Sequence, residues 1–129
     1  MLVEEHAARK AVPAPPGLLE RLEELLERQK AQAAAGDLAG AAVTDRCFHA
    51  EIVRSGGNEI LSRLYDQLRD RQLRMGAAVM HSHPDRIAKT LAEHEEILQA
   101  LRSGDAEAAV GIVHRHVGWF SHLARGEVR

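Results

Sequence analysis

The stretch AGDLAGAAVTDRCFHAEIVRSGGNEIL (residues 35–61) contains one complete helix together with the signals that begin and end it. Asp37 stands in the N-cap position, where a side-chain oxygen accepts a hydrogen bond from a backbone N–H of the first turn. The helix is predicted to run to about Arg54, where SGGN (55–58) breaks it, and Asn58 is placed to cap the next helix. A helix bounded in this way on both sides favours a chain of helices joined by short turns.

Similar helix-breaking and helix-capping residues recur along the whole chain. Proline or glycine interrupts the apolar periodicity at PAPPG (13–17), Gly36 and Gly104, and Asp105 is placed to cap the last helix. No segment alternates with period two over a useful length, so no strand is expected. The predicted helices are residues 2–12, 18–35, 38–54, 59–80, 86–102 and 106–124, with HSHPD (81–85) as a loop. The predicted fold class is therefore all-α, an antiparallel bundle of about six helices with short connections.

Composition narrows the class of protein. With 129 residues, 45% hydrophobic and 28% charged, the chain is expected to form a single soluble domain spanning residues 1–129. A net charge of −2 gives no general attraction to nucleic acid or membranes. No apolar run approaches the length of a membrane-spanning helix. The single Cys47 excludes an internal disulfide, so a cytoplasmic location is expected.

Eight histidines are an unusual count for this length, and helical periodicity separates them. On the third helix, Asp45 and His49 fall about 20° to either side of Leu38, in the middle of the apolar stripe. His94 lies within the apolar stripe of the fifth helix, and His116 lies within that of the sixth. The other five histidines lie in the loop, on polar faces or near the N-terminus: His6, His81, His83, His114 and His122.

Four polar side chains at the centres of three apolar stripes must converge if the helices form one bundle. Burying an aspartate without a partner is costly, and a divalent metal ion removes that cost. One carboxylate and three imidazoles (Asp45, His49, His94, His116) suit zinc best, with nickel, manganese or iron also possible, and they disfavour calcium. The alternative is that each histidine is a hydrogen-bonded packing residue, which is the commoner role of a single buried histidine.

Two stretches resemble a known family. Residues 35–61 resemble the segment GD…D-x-x-F-H-x-x-[IL]…S-G-N-x-x-L of the FCD domain, the C-terminal effector-binding domain of bacterial GntR-type transcription regulators of the FadR subfamily. AEHEEILQALRSGDAEAAVGIVHRHV (92–117) is similar to that domain's closing E-H-x-x-I-x-x-A-[LI]-x-x-x-D-x-x-x-A…H. The resemblance covers the chain from the second helix to the sixth. It implies an antiparallel bundle with a central ligand and metal cavity, and a homodimer.

The resemblance also implies a ligand set. In the metal-binding branch of the family, the ion is held by an aspartate, the histidine one turn later and two further histidines. By position these correspond to Asp45, His49, His94 and His116, the four residues that the helical periodicity selects.

The chain departs from that family in two respects. SGGN (55–58) is one glycine longer than the family's SGN, and no part of the sequence resembles the winged helix-turn-helix through which these regulators bind DNA. The resemblance therefore implies an effector-binding domain that contacts DNA only through a winged helix-turn-helix not present in this chain. Such a domain is either isolated or preceded by further residues.

The function expected from the resemblance is the sensing of a small organic acid, whose carboxylate occupies open positions on the metal and thereby controls DNA binding. Arg71 and Gln72 on the fourth helix are candidates for ligand contacts, although Arg71 is equally well placed to extend into solvent. Two alternatives stay open: a metal-dependent enzyme that activates water, and a metal that only holds the bundle together. Against the enzyme, Glu93, Glu95 and Glu96 lie off the centre line of their helix, which leaves no carboxylate as general base.

Overall fold

The computed structural model describes residues 2–68 and 85–124, together with residues 71, 74, 78, 82 and 83; for residues 2, 3 and 116–124 it describes the backbone alone. Within these residues all regular secondary structure is helical, which confirms the predicted all-α fold class. The helices are α1 (Leu2–Lys10), α2 (Leu18–Ala34), α3 (Leu38–Ser55), α4 (Glu59–Gln67), α5 (Arg86–Ser103) and α6 (Ala106–Ala124).

The fourth predicted helix and the loop after it lie only partly within the described residues. Residues 71, 74 and 78 are helical, as predicted for the span 59–80. The loop predicted for residues 81–85 is wrong at Ser82, which is helical, whereas His83 is not. The sequence supplies the reason for this boundary, because the residue before a proline is disfavoured from the helical conformation and Pro84 follows His83.

The helix boundaries follow from the short polar side chains and the glycines that the sequence places between helices. The side chains of Asp37, Asn58 and Asp105 each accept a hydrogen bond from the backbone N–H three residues later, at 2.9, 3.1 and 3.0 Å. These bonds satisfy donors that an α-helix leaves unpaired in its first turn. α5 ends at Gly104, whose φ of 75° lies in the left-handed region that glycine adopts without strain.

α3 has the most neighbours in the bundle. It packs against α1, α2 and α4, while α5 packs against α2 and α6, and α6 packs back against α1. The core between these helices is built mainly from leucine, isoleucine, alanine and one phenylalanine. Its most deeply buried large side chains are Leu18, Leu22, Leu26, Phe48, Ile97, Leu98 and Leu101. This arrangement brings the middle of α3 and the middle of α5 to the same level of the core.

The two residues that flank Phe48 and Asp45 along α3 lie deeper than the helical periodicity suggests. Cys47, which the wheel places on the outer face, is half-buried. Arg46 is buried, because its guanidinium lies 5.1 Å from the ring centre of Tyr65 and donates to Asp66 of α4 at 3.0 Å. The charge of Arg46 is therefore neutralised on the α4 side of α3.

Candidate metal centre

Asp45 and His49 from α3 and His94 from α5 meet in the core. His94 Nε2 lies 3.0 Å from Asp45 Oδ1, His49 Nε2 lies 3.5 Å from the same oxygen, and the two Nε2 atoms are 3.3 Å apart. His94 is fully buried and His49 is 5% exposed, while the side chain of Asp45 keeps 18% of its surface accessible. The three ligand atoms thus form a small triangle, in which Asp45 has the most accessible side chain.

The edges of this triangle match those of a metal coordination shell. Bonds of about 2.0–2.2 Å place neighbouring ligand atoms roughly 3.3–3.6 Å apart in a tetrahedron and roughly 2.8–3.1 Å apart in an octahedron. The distances of 3.3 Å between the two Nε2 atoms and 3.5 Å between His49 Nε2 and Asp45 Oδ1 fall in the tetrahedral range, while the 3.0 Å between His94 Nε2 and Asp45 Oδ1 falls in the octahedral range. Two imidazole nitrogens and a carboxylate oxygen are also the donor types that zinc and its neighbours in the periodic table accept. The residues present therefore fit a divalent metal ion.

The outer nitrogen of His94 is held by Gln29 of α2. The side-chain amide nitrogen of Gln29 donates to the carbonyl oxygen of Ala41 at 3.1 Å, and the amide oxygen lies 2.8 Å from His94 Nδ1. Since a carbonyl can only accept, the amide orientation is settled, and the oxygen that faces His94 must receive a proton from Nδ1. His94 Nε2 is thereby left to direct its lone pair at Asp45 and His49.

The outer nitrogen of His49 faces a carboxylate from α1. Glu4 Oε1 lies 3.6 Å from His49 Nδ1 and accepts a hydrogen bond of 2.7 Å from the hydroxyl of Tyr65. Burial, together with the nearby carboxylate of Glu4, raises the pKa of Tyr65, so its phenol stays protonated and donates to Glu4. Glu4 lies too far from His49 Nδ1 for a hydrogen bond, whereas His94 has an oxygen acceptor at its outer nitrogen and directs Nε2 inwards. Histidines that ligate metals in proteins show this arrangement.

Phe48 covers the other side of the cluster. Its ring stacks on the imidazole of His94 with 4.3 Å between centroids and 9° between planes, and Phe48 itself is 1% exposed. The stacked ring fixes the plane of His94 and keeps water away from that face. An ion between the ligand atoms would lie in a region of low dielectric, where charge interactions are stronger than in water.

The structure brings together three of the predicted site residues. Asp45, His49 and His94 each offer one ligand atom within 4.8 Å of the others, close enough to hold one metal ion. The side chain of His116 lies outside the described residues, as does Gln72, and Arg71 is exposed. The roles of His116, Arg71 and Gln72 therefore stay predictions.

Two residues of the site escaped the sequence analysis, Gln29 and Glu4. A signal existed for Gln29, since it continues the buried spacing of Leu22 and Leu26 along α2 and is itself fully buried. A polar residue in an apolar stripe was the same criterion that selected His94. Glu4 precedes the buried Ala7 and Ala8 at helical spacing, but in a short terminal helix that pattern is common.

Glu93 is more deeply buried than its position on the helical wheel predicts. It lies off the centre line of α5 by the helical wheel, yet its carboxylate is buried and accepts a 2.8 Å hydrogen bond from the guanidinium of Arg86. The long side chain of Arg86, two turns earlier, reaches along the helix and makes this burial possible. The carboxylate of Glu93 is therefore engaged by Arg86 of its own helix.

The structure is an all-α bundle with an Asp–His cluster in its core. Comparison with known families identifies the family to which the chain belongs. The FCD domain family matches residues 1–118 of the chain. The chain therefore belongs to the FCD domain family, the C-terminal effector domains of GntR-family regulators, which are regulatory rather than enzymatic. No curated protein gives a significant match to the sequence. Among the described helices, none is both long and apolar enough to cross a membrane.

Proposed function

We propose that this FCD domain senses a small carboxylate through a divalent metal ion held by Asp45, His49, His94 and His116, and thereby controls DNA binding by a GntR-type transcription regulator of the FadR subfamily. One observation carries the proposal. The Nε2 atoms of His49 and His94 and the Oδ1 atom of Asp45 face one another at 3.0–3.5 Å inside the core. Ligand atoms gathered at such distances are close enough to bind one metal ion together.

Zinc is the metal we propose, with nickel, manganese or iron as alternatives. The donor set is nitrogen-rich, which suits these ions and disfavours calcium. His116 is proposed as the fourth ligand because it follows the buried Ala109 and Val113 of α6 by seven and three residues. Asp45 follows Leu38 and Ala42 on α3 at that same spacing.

The effector is proposed to be a small organic acid. Four protein ligands leave open positions on an ion that accepts five or six, and a carboxylate oxygen binds such positions well. The accessible part of Asp45 lies on the side from which a ligand would approach. Arg71 and Gln72 are proposed as contacts to the rest of the acid. Its binding would shift the placement of two subunits of a cytoplasmic homodimer and of the winged helix-turn-helix domains joined to them.

Metal analysis of the purified protein tests the site. We expect about one zinc per chain in the wild type and in His114→Ala, and loss of that zinc in His94→Ala. His114 is the matched control because it is an exposed histidine of the same bundle, paired with Glu5 at 2.6 Å rather than with the cluster. Full retention of zinc by His94→Ala would refute the ligand set.

A thermal-shift screen of small carboxylates then tests the effector. We expect at least one acid to raise the melting temperature of the zinc-loaded wild type and to leave His94→Ala unchanged. A zinc-loaded protein that responds to no acid would favour a metal that only holds the bundle together. Chemical conversion of a stabilising acid would favour the enzyme alternative.

A further inference from the structure

We propose that Gln29 is a positioning residue for the metal-binding histidine His94: it fixes the proton of the imidazole on Nδ1 and so presents Nε2 to the ion. The inference rests on the metal site proposed above and adds a residue to it. It starts from the position of Gln29, which lies on a different helix from the ligands and is fully buried.

Gln29 is held in one orientation by the start of α3. Its amide nitrogen donates to the carbonyl oxygen of Ala41 at 3.1 Å, so rotation of the amide by 180° would turn two carbonyl oxygens towards each other in the core. The cost of such an unsatisfied buried contact is about 1–3 kcal/mol. The amide oxygen is therefore committed to His94, which it reaches at 2.8 Å.

A committed acceptor selects one tautomer of the imidazole. His94 places its proton on Nδ1, and Nε2 is the nitrogen 3.0 Å from Asp45 Oδ1 and 3.3 Å from His49 Nε2. Without Gln29, the imidazole would be able to carry its proton on Nε2 and donate it to Asp45. That arrangement satisfies the carboxylate with a hydrogen bond and blocks the nitrogen that the metal needs.

Gln32, one turn further along α2, provides a matched control. It also links α2 to α3 through its side-chain oxygen, which accepts a 2.7 Å hydrogen bond from the hydroxyl of Thr44 rather than from a histidine. Gln29→Met and Gln32→Met therefore remove the same functional group from the same helix. Only the first removes the acceptor of His94. Gln29→Glu restores an acceptor for His94 while it removes the donor to Ala41.

Zinc affinity is measured for the full chain by competition with a chromophoric chelator at fixed pH. We expect Gln29→Met to bind zinc about 10–100-fold more weakly than the wild type, the usual effect of losing such a partner. Gln32→Met should stay within about threefold of the wild type, and Gln29→Glu should recover most of the affinity despite a lower melting temperature. Gln29→Glu would then have a lower melting temperature but nearly normal zinc affinity. If Gln29 had only a structural role, zinc affinity would fall together with stability.

The imidazole N–H signals of the zinc-loaded wild type supply a second readout that needs no variant to fold. We expect a slowly exchanging Nδ1–H of His94, and its loss or much faster exchange in Gln29→Met. A wild type that binds zinc with His94 ligating through Nδ1 would overturn the role of Gln29, as would equal zinc affinities of the two methionine variants. Absence of zinc binding by the wild type would instead overturn the proposed function, and the inference with it.

Discussion

α5 carries two polar side chains next to each other in sequence, Glu93 and His94, that are buried in opposite ways. Glu93 brings a negative charge into the core and meets a positive charge of the same helix, Arg86, at 2.8 Å. His94 meets a carboxylate, Asp45, and a second imidazole, His49, with its own proton already directed to Gln29. The first pair joins two opposite charges of the chain itself, whereas the second cluster groups three ligand atoms that are close enough to hold one metal ion. This difference separates an ion pair from a candidate metal site.

The largest effect is expected from breaking the complete pair. Arg86→Met leaves the buried carboxylate of Glu93 without its guanidinium, and the free energy of unfolding should fall by about 3–5 kcal/mol in urea titrations. Zinc stoichiometry of the folded fraction should not change. The double variant Arg86→Met/Glu93→Leu should recover much of the loss, because apolar residues replace a buried ion pair at little cost. Loss of zinc by Arg86→Met would show that the two regions are coupled.

Metal removal is expected to lower stability through the Asp45–His49–His94 cluster and not through the Arg86–Glu93 pair. Free zinc at about 100 times the dissociation constant should stabilise the wild type by about 2.7 kcal/mol, or roughly 10 °C in melting temperature. A chelator should abolish the gain. His94→Ala should show no zinc-dependent shift, while His114→Ala should shift like the wild type. A zinc-dependent shift of equal size in His94→Ala would contradict the proposed ligand set.

A smaller effect is expected from a substitution on the α1 side of the cluster. Tyr65→Phe removes the hydroxyl that donates to Glu4 at 2.7 Å but keeps the ring beneath Arg46. A hydrogen bond to a charged group is worth about 2 kcal/mol, so the variant should be destabilised by about that amount. Zinc affinity should fall less than in Gln29→Met, because Glu4 is still present beside His49. An unchanged unfolding free energy would argue against the hydrogen bond.

The smallest effect concerns Asp66, the exposed partner of Arg46. The guanidinium of Arg46 and the nearby Arg54 lower the pKa of Asp66 from its ordinary value of 3.8. A carboxyl group with a lowered pKa in the folded state stabilises the protein above its unfolded pKa, and this contribution is lost as the pH falls through the folded value. Asp66→Asn should therefore be slightly less stable than the wild type at pH 7, and the difference should shrink as the pH falls below 3.8 and vanish below the lowered folded-state pKa. A difference that persists at lower pH would exclude the ion pair as its cause.

Local signals in the sequence predicted the all-α fold class and three candidate ligands that the structure brings close together, Asp45, His49 and His94. The caps at Asp37, Asn58 and Asp105 need only neighbours within one turn, so they were predictable and are observed. The burial of His49 and His94 follows from the period of a single helix and was equally predictable. Helical periodicity tells which side of a helix is buried, but not which helix lies opposite.

The tertiary structure alone decided which atoms meet. Gln29 and Glu4 become partners of His94 and His49 because α2 and α1 pack at particular heights against α5 and α3. The direction of each imidazole depends on those partners, since a hydrogen bond at one ring nitrogen leaves the other to face the cluster. The burial of Glu93 likewise depends on the reach of the Arg86 side chain in the assembled core. The contacts of His94 with Gln29 and of His49 with Glu4 join residues far apart in sequence, and no local pattern encodes their distances.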